Sequence, residues 1–154
     1  MVSLPDSRSE ISELVEDIFT RPEVGDHRRV EFHYFTPRGD SYRLESSLIM
    51  DLNVVSGHGR FTWWCDAAVS ESIKSSSGSD IGWDVWVSCA DELMPEVVVY
   101  RDLHEKSRAD VRTVLSPDVV RSVVEEFCGE GNGFRPTDAG WMRGHMNGHV
   151  DDDC

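Results

Sequence analysis

Apolar residues near the start of the chain recur every three or four positions, which is the spacing of one helix face. The members of this stripe are Ile11, Leu14, Val15, Ile18 and Phe19. Ser7 and Glu10 have the spacing of a capping box, in which two side chains satisfy backbone N–H groups at the helix start. Pro22 follows the stripe, and a proline ends a helix because it cannot donate the next backbone hydrogen bond. The pattern predicts an amphipathic N-terminal helix.

From residue 29 to residue 100, apolar and polar residues alternate in short runs, which is the period of a β-strand. The predicted strands cover residues 29–36, 42–52, 61–66, 82–89 and 97–100. The turns at Pro37–Asp40 and Gly57–Gly59 are short, and short turns join antiparallel neighbours. The Ser-rich segment 70–80 is predicted to be a mobile loop between the third and fourth strands.

A second helix is predicted to begin at Pro117, because Ser116 suits the cap position and proline suits the first helical position. Its apolar stripe consists of Val119, Val120, Val123, Val124 and Phe127, and it ends among Gly129, Gly131 and Gly133. Beyond Trp141 the sequence has no apolar period. Residues 142–154 are therefore predicted to form a disordered acidic tail.

The order helix, sequential strands, helix predicts an α+β fold, with one domain over residues 1–141. We expect a single antiparallel sheet of about five strands, with the N-terminal and C-terminal helices packed on it.

Composition narrows the function classes. Lysine and arginine total 15 and aspartate and glutamate total 29, which gives a formal net charge of −14. This balance argues against binding to nucleic acid or to an anionic membrane, because both need basic residues. No apolar run resembles an export signal or a membrane span, and the four cysteines are widely spaced. These features predict a cytoplasmic protein with reduced thiols and, from its charge, a basic protein partner.

No motif for catalysis, phosphate binding or metal binding appears in the sequence, and we expect no catalytic residue, cofactor or metal. His145 and His149 stand four residues apart, but the glycines around them oppose the helix that would align them as metal ligands. His33, near Glu31 and Glu45, is the one candidate for a general base. A half-exposed histidine on a polar sheet face is the favoured interpretation.

The polar face of four predicted strands is unusual because it carries two tryptophans among acidic residues. Aromatic side chains ringed by charge are typical of the centre of a protein–protein interface. The predicted interface residues are Glu45, Trp64, Asp66, Asp84 and Trp86. The alternative is that a helix covers this face and buries Trp64 and Trp86 in a second core layer.

The C-terminal third resembles the closing motif of the Imm1 family of bacterial immunity proteins. That motif is a capped helix ending in Glu-Phe, a glycine-containing turn, Arg-Pro and then a tryptophan. The matching residues are Leu115-Ser116-Pro117-Asp118-Val119-Val120-Arg121, Glu125-Glu126-Phe127, Gly131, Arg135-Pro136-Thr137 and Trp141. The hydrophobic strand 48–55 and the aromatic strand 61–64 are similar to the preceding part of the family pattern.

This resemblance implies a small cytosolic antidote that is not an enzyme and binds a cognate bacterial toxin domain. Toxins linked to the family include nucleic-acid deaminases and nucleases. It also implies that Phe127, Arg135, Pro136 and Trp141 build the fold rather than contact the toxin. Two alternatives stay open at this point: a secretion-linked or regulatory adaptor that binds another cytosolic protein, and a small hydrolase that uses His33 with Glu31 or Glu45.

Overall fold

The computed structural model describes residues 8–20, 25–66 and 85–151. In this part the helices are α1 (Arg8–Thr20) and α2 (Pro117–Glu130), and a short 3₁₀ turn, Val111–Thr113, precedes α2. The strands are β1 (His27–Arg38), β2 (Ser41–Asn53), β3 (Gly59–Cys65), β4 (Val85–Cys89), β5 (Tyr100–Asp102), β6 (Ser107–Arg108) and β7 (Gly140–Arg143). The capping box at Ser7, the stop at Pro22 and the mobile loop 70–80 lie outside the described residues.

Five strands form one antiparallel sheet in the order β1, β2, β3, β4, β7, and β5 pairs with β6 in a separate two-stranded sheet. The predicted α+β fold is thereby confirmed, with helices toward both ends of the chain. The fifth strand differs from the prediction. Residues 97–99 join neither sheet, and the edge position beside β4 is taken by β7, which follows α2. β7 has only four residues, which is too short for an alternation of apolar and polar residues to predict a strand.

Both helices pack on one face of the five-stranded sheet and form the core with it. Phe32, Leu48 and Trp63 are cross-strand neighbours on this face, and each is at most 6% exposed. The predicted stripes supply the opposite layer: Val15 and Ile18 from α1, and Val120, Val123, Val124 and Phe127 from α2. Burying one such side chain contributes about 1.5–3 kcal/mol, so this layer is the main source of stability.

The predicted disordered tail is wrong for residues 142–151. Met142 lies in β7, is 2% exposed and pairs with Val87. Residues 144–151, here called the C-terminal turn, are closed by a hydrogen bond of 2.8 Å from His145 N to His149 O. Gly148 packs against the guanidinium of Arg60, which lies 88 residues earlier in the chain. Such a long-range contact leaves no local periodicity for sequence reasoning to detect.

The loop between α2 and β7 is held by residues of the segment that resembles the immunity family. The Glu126 carboxylate accepts hydrogen bonds from the backbone N–H groups of Thr137, at 2.8 Å, and Asp138, at 2.9 Å. Trp141 Nε1 donates to the Pro136 carbonyl at 2.7 Å, and Phe127 is 4% exposed in the core. These contacts give the motif a structural role.

Gly133 fixes where this loop meets the sheet. Its carbonyl accepts hydrogen bonds from Ser46 Oγ at 2.6 Å and from Trp63 Nε1 at 3.2 Å. Its φ of +71° lies in the left-handed region, and an added Cβ would overlap the ring of Tyr34. Only glycine allows the backbone to approach the strands this closely.

The described cysteines differ in their chemical state. Cys65 and Cys128 are buried thiols, and desolvation raises the pKa of Cys128 to about 11. Cys89 is disulfide-bonded, so the expectation of reduced thiols throughout is wrong for this residue. Sequence spacing between cysteines does not report their distance in space.

Neither described helix has the length and apolar character needed to cross a bilayer.

We expect Gly133→Ala to lower the free energy of unfolding by about 3 kcal/mol or more, because overlap with Tyr34 adds to the cost of a left-handed backbone. Gly131→Ala is the matched control. Gly131 also has a positive φ, of 58°, but an added Cβ would meet nothing within 4 Å. Its expected cost is about 1–2 kcal/mol. Urea unfolding of both variants measures the difference, and equal costs would contradict the close approach.

Candidate protein-binding surface

The face of the sheet away from the helices carries three rows of cross-strand neighbours. The first row is Arg29, Asp51 and Arg60; the second is Glu31, Ile49, Thr62, Val87 and Met142; the third is His33, Ser47, Trp64 and Val85. In the first row Asp51 and Arg60 are buried, whereas Arg29 is exposed. In the third row Ser47 is buried, and His33, Trp64 and Val85 are partly exposed. The same face is therefore divided into a closed part and an open part.

The closed part is organised by a buried ion network. Arg60 is 1% exposed and Asp51 is 2% exposed. Arg29 Nε donates to Asp51 Oδ1 at 2.7 Å, and Arg60 Nε lies 3.4 Å from Asp51 Oδ2. The other Arg60 nitrogens donate to the Gly148 carbonyl at 3.2 Å and to Thr62 Oγ1 at 2.9 Å. Arg60 thereby joins β2, β3 and the C-terminal turn.

Burial is costly for both charges of this network. Desolvation raises the pKa of the Asp51 carboxyl, against the opposing effect of the hydrogen bond from Arg29. Desolvation also lowers the pKa of the Arg60 guanidinium, against its attraction to Asp51. Dehydration destabilises both buried charges, and the attraction between them offsets this cost only while both are present. The network therefore fixes the position of the segments around it.

The segment that contains β5 completes the cover over the first row. Arg29 Nη2 donates to the Arg101 carbonyl at 2.5 Å. The Val98 carbonyl lies 3.2 Å from His27 Nε2 and accepts a hydrogen bond from Asn53 Nδ2 at 2.9 Å. This end of the sheet is occupied by the protein's own chain.

The remainder of this face is partly exposed in the part of the chain that the structure describes. We call it the open face and define it by Glu31, His33, Phe35, Ile49, Trp64, Asp66 and Val85. Phe35 is 39% exposed and its ring contacts His33 edge-on, with 6.0 Å between the ring centres. Trp64 lies between Ser47 and Val85 in the third row and is half-buried. Aromatic and aliphatic side chains here alternate with the acidic Glu31 and Asp66.

One edge of the open face is acidic but internally paired. Arg43 Nη2 donates to Asp66 Oδ1 at 2.6 Å, and Arg43 Nε lies 3.9 Å from Glu45 Oε2. Glu45 is 6% exposed and accepts a hydrogen bond of 2.5 Å from Thr36 Oγ1. Of these two predicted interface residues, Asp66 has a side chain that is 39% exposed. Glu45 is buried and lies near Arg43, the arginine that pairs with Asp66.

The expectation that Trp64 and Trp86 share one face is wrong. Trp86 pairs with Trp63, so it lies on the helix side of the sheet, while Trp64 pairs with Val85 on the other side. Arg135 stacks on the Trp86 ring with its guanidinium carbon 4.1 Å from the ring centre. Asp84 lies outside the described residues. The open face therefore unites Trp64 and Asp66 but not Trp86.

Ile49 and Val85 are surface residues that sequence reasoning missed. The run from Val85 to Val87 is apolar at three successive positions, so alternation alone does not decide which side faces the helices. The decisive fact is the register between β3 and β4, which pairs Thr62 with Val87. No local signal in the sequence specifies that register.

His33 is the candidate general base, and its surroundings are hydrogen-bonded within the sheet. Its Nδ1 shares a hydrogen bond of 2.7 Å with Ser47 Oγ, and its Nε2 lies 3.5 Å from Glu31 Oε2. A serine, a histidine and a carboxylate in line resemble a nucleophile relay. Ser47, however, is 0% exposed, so its hydroxyl oxygen does not meet a substrate in this arrangement.

Among the described residues, no group of three or more histidine, cysteine, aspartate or glutamate side chains could hold a metal ion. His145, one of the spaced histidines, pairs with Asp151 at 3.0 Å within the C-terminal turn. This contact helps to close the turn.

We expect Arg60→Met to lower the free energy of unfolding by about 3–5 kcal/mol, because Asp51 loses one of its two partners in a buried site. Asp51→Asn should also destabilise, and the double variant should cost less than the sum by about 1 kcal/mol or more. The half-exposed pair Asp110 and Arg112 is the control and should couple by less than about 1 kcal/mol. Urea unfolding of both cycles is the measurement, and additive costs for Asp51 and Arg60 would contradict the network.

No protein-family model, curated protein or solved structure matches the chain at a significant level. The resemblance to the Imm1 family therefore remains a prediction from the residues of the C-terminal third.

Proposed function

We propose that this chain is an immunity protein, not an enzyme, that binds a cognate bacterial toxin domain and neutralises it by occluding its active site. The observation that carries the proposal is the open face. It presents Phe35 and Trp64 beside the acidic Glu31 and Asp66 on a sheet surface that the helices leave uncovered.

The composition of the open face supports a protein partner. Tryptophan in the centre of an interface excludes water over a large area. Truncating such a residue to alanine weakens binding by about 2 kcal/mol or more. Ile49 in the second row and Val85 beside Trp64 in the third row extend the apolar area. A binding surface of this kind needs no cofactor, and none is part of the proposal.

Charge supports a basic partner and a mode of inhibition. The chain carries a net charge of −14, and complementary charge accelerates encounter between proteins. Enzymes that act on nucleic acid are typically basic around the groove that holds their substrate. The resemblance to Imm1 implies a nucleic-acid deaminase or nuclease as the toxin. An acidic surface seated on such a groove would exclude the substrate both sterically and electrostatically.

The direct experiment is capture of the partner from native cell lysate with tagged wild-type protein, followed by growth rescue in cells that express the captured domain. We expect Trp64→Ala to weaken binding of that domain by about 2 kcal/mol or more, which is roughly thirtyfold in Kd. Calorimetry or surface plasmon resonance measures the affinity, and circular dichroism checks the fold.

Phe35→Ala and Phe134→Ala form a matched pair for the same experiment. Both phenylalanines are 39% exposed. Phe134, however, lies in the loop after α2, next to Gly133, and Gly133 contacts the helix side of the sheet. We expect Phe35→Ala to weaken binding and Phe134→Ala to leave it unchanged. A captured partner that has no toxicity, or one that belongs to a secretion apparatus, would replace the immunity proposal with the adaptor function.

A further inference from the structure

A cavity of about 430 Å³ lies at the end of the sheet where β4 and β7 meet the start of α2. Its floor is apolar and includes Val114 and Leu115, which are 1% and 4% exposed, and the half-buried Val119. Its rim is formed by the exposed carboxylates of Asp91, Glu92 and Asp138. We call this cavity the acid-rimmed groove. It shares none of its lining residues with the open face.

The charge around the acid-rimmed groove has one sign. Among the described residues that line it there are three carboxylates and no lysine, arginine or histidine. The start of α2 also borders the groove, and a helix N-terminus carries roughly half a positive charge. Three carboxylates outweigh that half charge, so the groove attracts cations rather than anions.

The combination of an apolar floor and an anionic rim fits a particular guest. Arginine and lysine carry a charged group on an apolar stem, and the stem lies against apolar surface while the charge stays at the solvent boundary. The planar guanidinium of arginine also matches two carboxylate oxygens at once. Leu93, which directly follows the rim residue Glu92 in the chain, is a 56% exposed apolar side chain.

We propose that the acid-rimmed groove is a second binding site, which takes the side chain of an arginine or lysine presented by a partner protein. The apolar stem would lie against Val114, Leu115 and Val119, and the cationic group would meet Asp91 and Glu92 at the rim. This inference goes beyond the proposed function, because the groove and the open face are separate surfaces. Its test needs no toxin, so its failure would leave the immunity proposal standing.

The test is a nuclear magnetic resonance titration of the whole chain with N-acetyl-arginine amide. The matched neutral probe is N-acetyl-citrulline amide, which has nearly the same shape without the charge. We expect saturable shifts of backbone amides in residues 89–94 and 137–140 with the arginine probe, in the millimolar range. We also expect the citrulline probe to bind at least threefold more weakly, and added salt to weaken the arginine binding by screening.

Two neutral variants separate the rim from general acidity. Asp91→Asn with Glu92→Gln removes both rim charges with little change in shape, and it should weaken arginine binding at least threefold. Glu105→Gln with Glu130→Gln removes two exposed charges that do not line the groove, and it should leave binding unchanged. Equal binding of arginine and citrulline probes would overturn the proposal. Unchanged arginine binding in the rim variant would overturn it as well.

Discussion

The buried guanidinium of Arg60 connects the five-stranded sheet to the C-terminal turn. It contacts Asp51 on the neighbouring strand and the Gly148 carbonyl on the C-terminal turn, with 1% of its surface exposed. A charge in that position must keep its partners, so the C-terminal turn has to lie on the sheet. Through Asp51 the network also holds Arg29, which reaches the segment of β5. The network thereby links β1, β2 and β3 to the two segments that cover this part of the sheet.

The C-terminal turn and the segment of β5 cover only the part of this sheet face around Asp51 and Arg60, which leaves the open face partly exposed. The C-terminal turn meets the third row only at its Val85 end, where Gly144 N donates to the Val85 carbonyl at 3.2 Å, as far as the described residues show. Trp64 in this row is half-buried rather than enclosed, and Phe35 remains 39% exposed. A protein of this size has enough core on the helix side to be stable without covering both faces. The aromatic residues on the uncovered part support the proposal that this face receives a partner.

The sequence predicts the elements of this fold well but not the contacts between distant ones. Helical periodicity locates α1 and α2 because burial on one face leaves its mark at every third or fourth residue. The same logic fails for β7 and the C-terminal turn, whose position depends on Arg60. It also fails for Trp86, because Val85, Trp86 and Val87 are all apolar and the strand register decides which face each occupies. Of the predicted interface, Trp64 and Asp66 lie on the open face, whereas Glu45 is buried beneath its edge.

We propose that the open face, and not the helix side, receives the partner. Hydrogen–deuterium exchange of the chain, alone and in complex with its captured partner, distinguishes the two surfaces because exchange reports backbone protection along the whole sequence. We expect slower exchange in the complex over residues 31–35, 47–49 and 62–66, with α1 and the C-terminal turn unchanged. Protection confined to α1, α2 or the C-terminal turn, with the open face unchanged, would contradict it.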